Sequence, residues 1–83
     1  MFAVIDVETT GNQYGNDKIT EIAIIVTDGE KIISEFQTLI NPNRSIDPFV
    51  EKLTGITNAM VQNEKPFETY AEKIFSMIQG NHF

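Results

Sequence analysis

The stretch VIDVETTG, residues 4–11, places two acids, Asp6 and Glu8, two positions apart in an aliphatic run. On an extended chain such side chains project to the same side, with Cα atoms about 6–7 Å apart. Both carboxylates can converge on one small volume just beyond the strand. Like charges held this close repel, and a divalent cation between them removes the conflict. Hard oxygen ligands favour Mg²⁺ or Mn²⁺ over zinc. Two carboxylates are too few to hold a pair of metals, so further ligands have to come from elsewhere. Thr9, Thr10 and Gly11 follow at once and add small residues and accessible backbone N–H groups beside the acids. Polar groups next to a two-metal site suit a phosphodiester, where one ion prepares water and the other stabilises the leaving oxygen. The competing reading of two acids at a strand end is a solvated edge or the start of a turn.

The elements that must position these residues are legible from pattern. Residues 2–8 read as a strand, with Phe2, Val4, Asp6 and Glu8 on one face and Ala3, Ile5 and Val7 on the other. Residues 12–18, NQYGNDK, are a polar loop. Residues 19–28 are β-branched and nearly continuous, as in a strand covered on both faces. The DGE at 28–30 signals a hairpin into a third strand over 31–40. Short links make an antiparallel meander the simplest arrangement.

The period then changes. Asp47 before Pro48 is an N-cap followed by a favoured first helical residue. A short helix runs to about Thr54, with Phe49, Val50 and Leu53 on one side and Gly55 as its stop. Thr57 or Asn58 caps a further turn through Met60 and Val61. Pro66 opens a longer helix whose apolar residues are Phe67, Tyr70, Ala71, Ile74, Phe75 and Ile78, ended by Gly80. In an alternating α/β design a strand comes next, so a chain stopping at NHF reads as cut rather than finished.

Bulk properties narrow the function classes. The chain has 83 residues and no cysteine, which suits one small domain and excludes disulfides and thiolate metal sites. No run approaches a membrane span and the start is not a signal peptide, so the expected setting is cytoplasmic. Six Lys/Arg against twelve Asp/Glu give a net charge of −6. With the cations spread from Lys18 to Lys73, a module that coats DNA by charge alone is excluded. An enzyme that meets phosphate through bound cations is still allowed.

The opening stretch resembles the first motif of the DnaQ-like (DEDD) 3′–5′ exonucleases, the family of polymerase proofreading subunits such as the DNA polymerase III epsilon subunit. That motif is an Asp-x-Glu pair followed by Thr and often Thr-Gly, here Asp6, Glu8, Thr9, Thr10 and Gly11. KITEIAII at 18–25 is similar to the family's second strand, with Glu21 at a position that commonly carries glutamate. LINPNRSIDPF and LTGITNAMV resemble the segments around its first helix, and PFETYAEKIFSMIQGNHF the helix before its next strand.

The resemblance implies the N-terminal half of an RNase H-like α/β fold: a three-stranded antiparallel meander followed by two or three helices. It implies a metal-dependent 3′–5′ exonuclease acting on the 3′ end of single-stranded DNA or RNA, with Asp6 and Glu8 as catalytic metal ligands for Mg²⁺ or Mn²⁺. Thr9, Thr10 and Gly11 would contact the substrate. Glu21 is read as a structural hydrogen-bonding residue in preference to a catalytic one. Tyr14 either stacks on a base or is an exposed loop tyrosine. Met60 and Phe67 are read as packing residues and His82 as an exposed or capping histidine. The family's second and third motifs have no counterpart in these residues. Residues 1–83 are thus expected to be one incomplete domain with little activity alone. In the family the first strand is paired on both sides, so its free edge here is expected to drive self-association. A polymerase or a fused downstream domain is the expected partner. The alternative from another class is a non-catalytic docking module that keeps part of the fold.

Overall fold

The computed structural model describes residues 1–11 and 18–79. Three strands form one antiparallel sheet: β1 (Phe2–Thr9), β2 (Ile19–Thr27) and β3 (Ile32–Leu39), in the order β1-β2-β3. The meander is as the sequence predicts. Asp28 to Lys31 make the β2–β3 turn, where the Asp28 carboxylate accepts from the backbone N–H groups of Glu30 and Lys31 at 2.9 and 3.0 Å. The polar segment 12–17, with Tyr14, lies outside the described residues, as do Gly80 and His82.

β2 shows strict alternation in place of the two covered faces expected of it. Thr20, Ile22, Ile24 and Val26 are buried, and the residues between them are half-buried. The reason is one-sided coverage. Ile22, Ile24 and Val26 form a core with Ile40 and with Ile74 of helix α3 (Ala71–Ile78), while Phe36, Phe67 and Tyr70 pack around its edge. The opposite face carries Asp6 and Glu8 on β1, with Ala23 and Glu21 as their cross-strand partners.

Helix α1 (Pro48–Thr54) begins and ends as expected. The Asp47 carboxylate accepts from the Phe49 N–H at 2.8 Å, and Gly55 closes the helix at φ 80°. α2 (Asn58–Val61) is capped by Thr57. The apolar side expected for α1 is only partly used. Val50 packs with Ile46, Ile56, Val61 and Leu39 in a second core, whereas Phe49 and Leu53 are 65% and 72% exposed. Met60 is exposed as well, against the packing role expected of it, and its sulfur accepts from the Thr57 N–H at 3.4 Å. Glu51 of α1 accepts from both the backbone and the side chain of Asn58, tying the two helices together.

The long helix expected from Pro66 is broken. A 3₁₀ turn, Phe67–Thr69, comes first, and Tyr70 separates it from α3. In a 3₁₀ turn residues three apart lie on one side. Phe67 and Tyr70 therefore both reach the core, and Tyr70 meets the Phe36 ring at a centroid distance of 5.7 Å. Phe75, counted in the apolar pattern, is exposed.

Candidate active site

The candidate site is built at the C-terminal end of β1. Alternation along the strand sets Asp6 and Glu8 on the face away from α3. Asp6 is exposed and Glu8 half-buried. Among the described residues neither carboxylate takes part in a hydrogen bond or an ion pair. Glu21 stands directly across β2 from Glu8 on the same face, and its carboxylate accepts from the Gln37 side chain of β3 at 3.1 Å. That bond accords with the structural reading of Glu21.

The register breaks immediately after Glu8. Glu8 pairs with Glu21, but Thr9 pairs with Ile19, leaving Thr20 as the extra residue of a bulge. Bulges bend a strand and re-aim its side chains, and they recur beside active sites. Here the bulge turns Thr10 inward. Thr10 is 2% exposed, its hydroxyl accepts from the Lys18 N–H at 3.2 Å, and its own N–H donates to the Lys18 carbonyl at 3.0 Å. Its side chain thus serves the fold. Thr9 and Gly11 are half-buried and stay near the surface.

Gly11 has a role that linear spacing does not reveal. The Asp47 N–H donates to the Thr10 carbonyl at 2.8 Å, which seats the N-terminus of α1 against the end of the acid motif. A Cβ on Gly11 would fall 2.9 Å from the Asp47 Cβ, and φ here is +149°. Only glycine fits both constraints. The signal was present as a glycine next to the motif; its partner was not.

The donor set suits a hard divalent cation in type, since Asp6 and Glu8 offer unengaged carboxylate oxygens on one face. It does not suffice in number: no group of three acids or histidines among the described residues could hold a metal ion. No described helix is long and apolar enough to cross a membrane.

The chain is similar to known exonucleases in sequence and in fold. The chain is 52% identical to the 3′-5′ exonuclease DinG of Bacillus subtilis (strain 168), over 99% of this chain and 9% of that protein. It is 38% identical to a PolC-type DNA polymerase III of Caldanaerobacter subterraneus subsp. tengcongensis, over 95% of this chain and 6% of that one. The chain therefore spans less than a tenth of these relatives. Among solved structures, Exonuclease X in complex with 5′ overhanging duplex DNA superposes with a TM-score of 0.76 at 36% identity, covering 89% of this chain and 43% of that one. The nuclease domain of 3′hExo, a DEDDh family member bound to rAMP, gives a TM-score of 0.76 at 24% identity, covering 96% and 46%, a likeness of fold alone. The sheet followed by helices is thus the N-terminal arrangement of an RNase H-like exonuclease fold. With residues 3–83 matched by the RNase_T family, described as Exonuclease, the uncommitted acids of β1 sit in a chain that belongs to that family.

Proposed function

We propose that this chain supplies the first metal-ligand strand of a divalent-metal-dependent 3′–5′ exonuclease, which removes nucleotides from the 3′ end of single-stranded DNA or RNA by phosphodiester hydrolysis. The observation that carries the reading is the pair of unengaged carboxylates, Asp6 and Glu8, on one face of β1 at a bulge. Family membership and the resemblance to DinG support it. Asp6 and Glu8 would hold Mg²⁺ or Mn²⁺, which when bound supplies Lewis-acid stabilisation of the phosphate and activation of the attacking water. Thr9 and the main chain of Thr10 and Gly11 would orient the terminal nucleotide beside them, with the Thr10 side chain holding that main chain in place. Residues 1–83 would be the N-terminal part of one exonuclease domain, working in the cytoplasm with a polymerase or a fused downstream domain.

Two consequences are measurable. Mn²⁺ added to ¹⁵N-labelled protein should broaden the amide signals around Asp6 and Glu8 selectively, and Asp6→Asn or Glu8→Gln should abolish the effect. Broadening confined to other acids would remove the reading. With only these two ligands among the described residues, binding should be weak and degradation of 3′-labelled single-stranded DNA by the 83 residues negligible. Clear Mg²⁺-dependent degradation, lost in Asp6→Ala, would overturn that.

A second reading is favoured by the exposed strand. Among the described residues β1 is an edge of the sheet, and Val4, Ile5 and Val7 are all exposed on it. An apolar edge with unpaired backbone groups recruits another strand. We propose that the 83-residue chain self-associates through β1. A concentration-independent monomer mass in light scattering would exclude it.

A further inference from the structure

We infer that a groove at the bulged end of the sheet is a second nucleic-acid contact, a seat for the phosphodiester backbone centred on Lys18 and Arg44. The inference rests on the exonuclease reading and adds to it a place away from the acid pair. The groove has a volume of about 580 Å³, and its lining includes Lys18, Arg44, Asn41, Asn43, Phe67 and Glu68.

Charge is the first argument. The chain carries a net −6 with only six Lys/Arg, yet among the described residues two of those cations line this one groove with Glu68 as the carboxylate. This gathering is invisible in the sequence, where the cations are dispersed.

The chemistry of the lining is the second argument. A guanidinium has five N–H donors in a planar fork that matches phosphate. Arg44 is half-buried in this lining and has a partner within the chain. Asn43 is exposed and held at φ 57° by its N–H donating to the Asn41 side chain at 2.8 Å, which keeps its amide on the surface of a fixed turn. Phe67 is half-buried in the same lining, an aromatic surface of the kind on which bases stack.

Position is the third. Lys18 is locked to Thr10 by two hydrogen bonds, and Thr10 follows Glu8 by two residues. Phe67 packs on the α3 side of the sheet, while the acids face the other side. A strand touching both must turn around the sheet end at Thr10 and Lys18.

The test uses the full 83-residue chain, 5′-fluorescein-labelled dT12 as probe, and EDTA to prevent cutting. Amide signals of Lys18, Asn43 and Arg44 should shift on titration. Lys18→Gln, at an exposed position, should weaken binding several-fold and make the log–log salt dependence shallower by about 0.7. Lys18→Gln/Arg44→Gln should lose about twice that slope, provided its amide spectrum shows a native fold. Unshifted groove amides with dT12 bound elsewhere, or unchanged affinity in Lys18→Gln, would overturn the inference. So would a poly-glutamate peptide binding as well as dT12, or inorganic phosphate shifting the groove while dT12 does not. Broadening by Mn²⁺ at Asp6 and Glu8, recorded on the same sample without EDTA, reports on the acid pair separately. A failed groove with intact broadening leaves the exonuclease reading standing; a shifted groove without broadening does the reverse.

Discussion

Glu8 and Glu21 are paired directly across β1 and β2, two half-buried carboxylates on the same face of the sheet. Directly opposed like charges destabilise a sheet. The Gln37 side chain donates to Glu21 and takes up part of that charge, while Glu8 has no such neighbour among the described residues.

Removing one of the two charges should therefore stabilise the cation-free protein. Glu21→Gln is expected to raise stability by roughly 0.2–1 kcal/mol in EDTA, read from thermal melts. The same substitution should shrink the further gain produced by millimolar Mn²⁺, because less repulsion is left to relieve. An unchanged or lower melting temperature in EDTA would show that the pair does not interact.

Glycine replacements should separate two kinds of constraint. Gly11→Ala meets both an unfavourable φ and the Asp47 Cβ at 2.9 Å, whereas Gly55→Ala at φ 80° has nothing within 4 Å. Gly55→Ala should cost about 1–2 kcal/mol from backbone strain alone. Gly11→Ala should cost more, about 2–3 kcal/mol, by loosening α1 from the end of β1. Urea midpoints of the two variants check the order.

The β2–β3 turn should respond to acid. The Asp28 carboxyl is held below its ordinary pKa, first by the Lys31 N–H and then by the Glu30 N–H, both of which bond the ionised form. A depressed carboxylate stabilises the fold fully above its unfolded pKa of about 3.9, and that contribution is lost as pH falls through the lower folded value. The Asp28 ¹³C carboxyl signal should titrate below the ordinary range, with the Glu30 and Lys31 amides moving in step. Asp28→Asn should remove that step. A carboxyl titrating at its usual pKa would contradict the turn geometry.

Apolar substitutions should divide by burial and not by hydrophobicity. Ile24 is 0% exposed, so Ile24→Ala should cost about 2–5 kcal/mol. Leu53, equally apolar but 72% exposed, should change stability by less than about 0.5 kcal/mol when replaced by Ala. Denaturant unfolding of both variants provides the comparison.

What the amino-acid sequence determined by itself is what rests on local periodicity and local chemistry. The β-branched run ITEIAIIVT makes a strand, Asp47 with Pro48 and Gly55 bounds a helix, and two acids two apart on an extended chain must share a face. These follow from backbone geometry that neighbouring residues enforce on one another. Tertiary structure alone decided the bulge between Glu8 and Thr9, the burial of Thr10, the approach of Gly11 to Asp47, the break at Tyr70 and the placing of Lys18 and Arg44 around one groove. Each of these depends on how separate elements pack: α3 covers only one face of the sheet, α1 docks on the end of β1, and the core draws Phe67 and Tyr70 inward together. No periodicity along the chain encodes which residues such docking brings into contact.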